Sequence, residues 1–392
     1  MNPPNSSTSS SDGSLGGWRA ARRLCLWTVI FLAIFDVGVN VLFAYPSDPK
    51  DLNPNQLELY FDYGRSMEGR LRRATRPDPE QTAPITLAGW YDPLIAFDRD
   101  AKSSGLKVTL YGNSQTVRLA DALQKTSAIY SARTVAAPGS TANWAYGAYL
   151  RDAHDEQGEA VVLTIMPTNL PMIQTMSAMT WNTSFAMPYT ADVFAVEGRQ
   201  LVRHRPPYES FADYVATIGD KARWRDAMAV FARRDPFYDR FLMHGAVLDN
   251  STIARLIRRG WGQRRDLQVR ARSLNRNGYD PANPAVKVAN AMVAQFAHIA
   301  RKDGVVPVVH IVNSRGYGDT MYRALADTLR QNRIPYISTH DVVDPNDPRN
   351  YLSDGHFTDE NDLRLAKALA AVLDRELGRG SAPRTQSPAA LQ

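Results

Sequence analysis

The chain has 392 residues, of which 44% are hydrophobic and 22% charged, with a formal net charge of +6; that is ordinary for one large globular domain or two modest ones. Its single cysteine, Cys25, excludes an intrachain disulfide, a cysteine-based zinc site and a thiol nucleophile. Basic residues are not interleaved with aromatics in a nucleic-acid pattern, so no nucleic-acid partner is expected.

Residues 1–17 are dominated by Ser, Gly, Asn and Pro and predict a disordered cytoplasmic tail. Trp18, Arg19, Arg22 and Arg23 then precede an apolar run from Leu24 to Ala44. At 1.5 Å per residue the run spans roughly 31 Å, about the hydrocarbon thickness of a bilayer, so 18–45 reads as a single transmembrane anchor. Basic residues on its amino side place that side in the cytoplasm, and the bulk of the chain then faces the periplasm from a cell inner membrane. A cleaved signal peptide is the rival reading, but Val37–Pro46 offers no small-x-small cleavage site. Asp36 lies inside the run with Asn40 one turn on. An acid at that depth costs roughly 2.5–3.5 kcal/mol, met either by water entering the outer half of the helix or by a contact with another membrane protein.

Residues 46–104 predict a membrane-proximal collar with a helix over Asn55–Ala74, ended by Pro77, Pro79 and Pro84. From Gly105 short apolar runs alternate with helical ones. Val108–Tyr111, Ala128–Val135, Ala160–Met166, Val305–Val312 and Ile334–Ser338 read as strands. Thr116–Gln124, Ala142–Ala153, Ala285–Arg301, Asp319–Gln331 and Leu363–Leu377 read as helices. Five strands alternating with helices predict an α/β fold whose parallel sheet is covered on both faces over 105–378. Residues 170–284 are too long for a loop and read as a helical insertion, with helices near Ser210–Ala232 and Thr252–Leu274. Between Lys221 and Arg276 fourteen Lys and Arg face five Asp, either a solvated surface or a patch for anionic glycan or lipid headgroups. Residues 379–392 read as a disordered tail.

Four places carry chemistry. Gly112-Asn113-Ser114 ends the first strand, where a serine at a strand-to-helix turn has main-chain N–H groups that favour negative charge; such a serine needs a base to become a nucleophile. Ala136-Ala137-Pro138-Gly139-Ser140-Thr141 follows the second strand, and Met166-Pro167-Thr168-Asn169 the third. Tyr351-Leu-Ser353-Asp354-Gly-His356-Phe-Thr358 precedes the last helix. His310 sits in an apolar strand and reads as a hydrogen-bonded core residue. His154, His204, His244, His298 and His340 lack ligand spacing, and no phosphate-binding glycine motif occurs, so neither metal nor cofactor is expected.

The order Ser, Gly, Asn, His, each after the strand where it is wanted, resembles the SGNH (GDSL-like) hydrolase family. Three motifs depart from it: Asn113 stands for an Asp, Pro167 and Leu170 flank Asn169 where Gly and Asp are usual, and Asp354 precedes His356 by two residues instead of three. The resemblance implies a flavodoxin-like three-layer α/β/α fold. It also implies Ser114 as nucleophile, His356 as base, and an oxyanion hole from the N–H groups of Ser114 and Gly139 with the Asn169 amide, Asn182 being a weaker substitute. His356 would be oriented by Asp354, with Asp341, Asp344 or a main-chain carbonyl as alternatives. The implied reaction is acyl transfer. In its extracytoplasmic setting the chain is similar to alginate-type O-acetyltransferases and to the D-alanyl transfer proteins of teichoic acid synthesis. It is therefore expected to be an O-acyl, foremost O-acetyl, esterase or transferase for an exported or cell-surface polysaccharide, beside a membrane-embedded acyltransferase that Asp36 would touch. A lipid esterase or thioesterase at the membrane surface, and a catalytically silent scaffold or glycan-binding subunit of an exopolysaccharide complex, are the other readings.

Overall fold

A computed structural model describes residues 13–42, 64–91, 97–99, 104–152, 158–182, 185–198, 200–245, 247–275 and 278–379. Among the described residues there are ten strands: β1 Phe97–Arg99, β2 Leu106–Gly112, β3 Tyr130–Ala136, β4 Ala160–Ile165, β5 Val193–Glu197, β6 Gln200–His204, β7 Leu274–Asn275, β8 Gly278–Tyr279, β9 Val306–Ile311 and β10 Tyr336–Ser338. The main sheet runs β1-β3-β2-β4-β9-β10. Its last five members are parallel, in the doubly wound order second, first, third, fourth, fifth. The five-stranded parallel sheet expected from the apolar runs is therefore present. One short strand of this sheet was not expected: β1 pairs antiparallel with β3 at the edge, within the stretch read as collar.

Among the described residues, ten helices of eight residues or more are α1 Gly13–Leu42, α2 Met67–Ala74, α3 Ser114–Thr126, α4 Ala142–Arg151, α5 Phe211–Gly219, α6 Lys221–Arg234, α7 Thr252–Ser273, α8 Pro284–Lys302, α9 Thr320–Gln331 and α10 Asp359–Glu376. Alternate side chains of each strand point to opposite faces, and the apolar runs serve both. Val161, Leu163, Ile165, Val309 and Ile311 meet α4, α8 and α9 on one face, where Tyr149, Phe296, Met292 and Leu325 are fully buried. Val108, Leu110, Val162 and Val308 meet α3 and α10 on the other, with Leu123, Leu369 and Leu373. Each such buried side chain contributes about 1.5–3 kcal/mol. Because α3 and α10 share one face and pack together, the residues at their amino ends are brought to the same rim of the sheet.

The insertion is not purely helical. Between α4 and α8 it holds α5, α6 and α7 but also the hairpin β5–β6 and the small pair β7–β8. Part of the collar packs on it: Trp90 is buried against Tyr208, Phe211 and Tyr214. Of the stretch Asn55–Ala74 expected to be helical, the described part holds a helix over Met67–Ala74. That helix starts at Met67, with the Ser66 hydroxyl accepting from the Gly69 N–H at 3.0 Å; positions 55–63 lie outside the described residues.

Gly17–Leu42 is long and apolar enough to cross a membrane, and most of its large side chains, Leu24, Val29, Phe31 and Ile34 among them, are exposed. The helix begins at Gly13, inside the stretch expected to be disordered; residues 1–12 and the tail 380–392 lie outside the described residues. Asp36 is answered within the chain. Its carboxylate accepts from the Ile253 N–H at 3.0 Å and the Ser251 hydroxyl at 3.3 Å, at the amino end of α7, where the helix dipole favours an anion. Asn40 accepts from Arg255 at 2.6 Å and donates to Thr252 at 3.2 Å. Asp36 thus has hydrogen-bond partners within the chain.

Candidate active site

The turn that carries Ser114 is built by close packing. Gly112 ends β2 where a Cβ would lie 2.0 Å from Thr116 Oγ1 and 2.7 Å from Thr164 Cβ, so only glycine fits. Asn113 caps α3 by accepting from the Gln115 N–H at 3.1 Å, while Thr116 Oγ1 accepts from the Asn113 N–H at 3.1 Å. This reciprocal cap satisfies two donors that a helix start leaves over and sets Ser114 as the first residue of the helix. Beneath it a polar chain runs inward: Thr116 donates to Thr164 at 2.8 Å, and Thr164 meets His310 Nδ1 at 3.2 Å. His310 is buried, as expected of a core residue, and burial pulls its pKa down to about 3; the imidazole is neutral and scaffolding in character.

The other half of the pair comes from a tight loop before α10. Leu352 N–H donates to His356 O at 2.7 Å and Gly355 N–H to Leu352 O at 3.0 Å, with Gly355 at φ +86°, a left-handed conformation open chiefly to glycine. Tyr351 and Phe357 bridge across the loop, their rings 5.1 Å apart. The loop presents His356 Nε2 to Ser114 Oγ at 2.7 Å. On its other side His356 Nδ1 lies 2.9 Å from Asp354 Oδ2, and the Asp354 carboxylate also accepts from the His356 main-chain N–H at 3.1 Å. Those two bonds hold Asp354 below the usual carboxylate range, the main-chain one first. Ser114, His356 and Asp354 thus form one continuous relay. Asp354 is 62% exposed, so its charge is screened and worth less than a buried partner's would be.

The alternatives for the orienting group lie elsewhere. Asp341 pairs with His340 at 3.1 Å, and Asp344 accepts from the Asn346 N–H at 2.9 Å.

Gly139 reaches the site from the β3–α4 loop at φ +61°, with nothing within 4 Å of where a Cβ would project. The Ser140 hydroxyl ties this loop to the end of β2 by donating to Gly112 O at 2.7 Å. Asn169 comes to the same place, but its amide nitrogen is already engaged: it donates to Gly139 O at 3.2 Å and Ser140 O at 2.8 Å. The amide expected to offer an open donor fastens the glycine loop. Asn182 follows the one-turn helix Ala178–Trp181 and accepts from the Phe185 N–H at 3.1 Å.

Two supporting residues were not foreseen. Arg118, one turn after Ser114, donates to Asp362 at 2.7 Å, to Asp359 at 2.7 Å and to Phe357 O at 3.0 Å. It pins the helix of the serine to the loop and helix of the histidine. Burial raises the Asp362 carboxyl to about 6 despite the Arg118 charge beside it. Gln115 donates more weakly to Gly355 O at 3.4 Å. The sequence signal was an arginine at helical spacing from the serine and a cluster of acids opening the last helix.

A cavity of about 330 Å³ lies away from this relay, against α7 and the segment before it, lined by Tyr238, Asp239, Trp261, Arg264, Arg265 and Gln268.

The arrangement can do one thing chemically without added groups: the imidazole can take the hydroxyl proton while a carboxylate steadies the imidazolium, beside main-chain N–H groups at a helix start. Compared with known proteins, the chain matches no family model, no curated protein and no solved structure. The described residues form an α/β fold with a doubly wound sheet, and Ser114, His356 and Asp354 are hydrogen-bonded in line at the carboxyl rim of its strands.

Proposed function

We propose that the protein is an SGNH-type serine acyl-transfer enzyme, acting outside the membrane as an O-acyl, foremost O-acetyl, esterase or transferase on a polysaccharide. The observation that carries this reading is the contact of 2.7 Å between Ser114 Oγ and His356 Nε2, continued by His356 Nδ1 to Asp354 at 2.9 Å. In the reaction Ser114 Oγ attacks the acyl carbonyl as its proton passes to His356. The N–H groups of Ser114 and Gly139 receive the oxyanion, and His356 returns the proton to the leaving alcohol. Water or a sugar hydroxyl, deprotonated by the same imidazole, then releases the acyl group from the serine. Asn169 acts here as a positioning residue for Gly139.

The choice of a glycan rests on the motif resemblance and on a fold tethered by one apolar helix. The hydroxyl, imidazole and carboxylate in line support an enzyme over a silent scaffold. Acetate release from an acetylated polysaccharide, measured beside fatty-acid release from a phospholipid and loss of both in Ser114→Ala, tests the assignment. Release from the glycan alone is expected of the esterase; release from the lipid alone would move the substrate to the membrane, and release from neither, with no acetyl passed to an acceptor glycan, would remove the enzymatic reading.

A further inference from the structure

Helix α7 has an unusual surface. It carries seven arginines against one acid, Asp266, yet the face it leaves open is largely apolar. Ile257 is 62% exposed, Trp261 49% and Leu267 68%. With Gly260, Arg264, Gln268 and Ala271, also exposed, they recur at three- and four-residue spacing and so form a single stripe. Just ahead of the helix, Val247 and Leu248 are exposed at 82% and 47%. Exposed large apolar side chains in a row mark a contact surface.

What covers the stripe follows from where α7 begins. Its amino end is bonded to Asp36 and Asn40 of α1, and on the outer half of α1 the burial is confined to that turn, with Val39 buried and Val41 and Leu42 exposed again. The two helices therefore meet at one place. Asp36 is six residues before Leu42, the last described residue of the apolar helix, or about 9 Å along the axis. If α1 crosses the bilayer, Ser251–Arg255 meet it about 9 Å short of Leu42 and so lie below the headgroups, within the outer acyl-chain region. Val247, Leu248 and the stripe that starts at Ile257 then adjoin the lipid. Arg264 among apolar neighbours suits a phosphate-bearing surface, since long basic side chains lay their stems on apolar ground and raise the charge to the headgroups.

We propose that the exposed stripe of α7, Ile257–Trp261–Arg264–Leu267, rests on the outer surface of the bilayer and is a second membrane contact beside the anchor. The inference rests on α1 spanning the membrane, and not on the catalytic reading. It would hold the catalytic domain at a fixed tilt instead of leaving it free on a tether.

The single native cysteine allows a direct test. The full-length protein is reconstituted in vesicles of phosphatidylcholine with phosphatidylglycerol and spin-labelled at one site at a time. The sites are native Cys25 and, in a Cys25→Ser background, Ile257→Cys, Leu267→Cys or the aqueous control Asp226→Cys. Collision with oxygen, which concentrates in lipid, is compared with collision with a water-soluble nickel chelate. The expected result is oxygen preference at positions 25, 257 and 267 and nickel preference at 226. Oxygen preference at 25 with nickel preference at 257 and 267 overturns the second contact and leaves the anchor standing. Nickel preference at 25 as well overturns the anchor and the contact with it. Shielding of 257 and 267 from both reagents overturns the lipid assignment in favour of a protein partner or a second copy.

Discussion

Arg118 and Asp362 lie 2.6 Å apart across the two helices that bring Ser114 and His356 together. The pair is more than surface decoration. Asp362 is 8% exposed and Arg118 27%, and the same guanidinium holds the Phe357 carbonyl beside His356. Removing the arginine leaves a mostly buried carboxylate without its cation, a loss in which the cost of the stranded charge dominates. Arg118→Leu is expected to lower stability by about 1–3 kcal/mol, reduced from the fully buried case because the arginine is partly solvated. Asp362→Leu in the same chain should recover part of the loss. Chemical denaturation of the two single variants and the double variant measures the coupling; strict additivity would show that the pair does not join the helices.

Asp354 touches His356 through both ring and main chain, but from the solvent side. Asp354→Asn should therefore reduce kcat/KM by roughly 10- to 100-fold, at or below the lower end of what positioned acid–base catalysis contributes, with stability little changed. Steady-state kinetics decide it. A loss as large as that of His356→Ala would mean that the carboxylate is indispensable despite its exposure.

Gly112→Ala places a methyl group where Thr116 Oγ1 and Thr164 already sit. Overpacking of this kind typically costs 1–3 kcal/mol, and here it also displaces the cap that sets Ser114. Both melting temperature and kcat should fall, and the loss of kcat should persist at temperatures where the variant is fully folded. Full activity at such temperatures would show that the turn tolerates the shift.

His310 supplies a pH dependence of stability. Its folded pKa, about 3, lies below the ordinary 6.5 because burial disfavours the charged ring. The unfolded chain therefore binds the proton more readily, so the contribution is intact above about 6.5 and is lost as pH falls towards about 3. His310→Asn should flatten the stability profile in that window while leaving its neutral arm unchanged in shape. Denaturant midpoints taken from pH 7 down to pH 4 check it; parallel profiles for the two proteins would contradict the assignment.

The parallel sheet was legible because strands such as Ala160–Ile165 are apolar on both faces, a pattern that only a doubly covered strand needs. The positions of Ser114 and His356 were legible because each stands at a strand end or helix start, where topology decides the place of a side chain. Other features were closed to reading along the chain. Strand β1 is three residues long and gains its partner only from the edge of β3. The partner of Asp36 lies 217 positions away at Ile253, and no local pattern points to it. Hairpin β5–β6 carries alternation with Gly198 at its turn and was hidden by the helical character of its surroundings. Asn169 was found by position, but its use was not, since two carbonyls of a neighbouring loop claim its amide.

The central claim is that Ser114 is an activated nucleophile. A fluorophosphonate with intact-protein mass spectrometry tests it most directly. One adduct is predicted, on Ser114, lost in Ser114→Ala and formed far more slowly in His356→Asn. An intact protein that stays unlabelled, or an adduct that persists in Ser114→Ala, would contradict it.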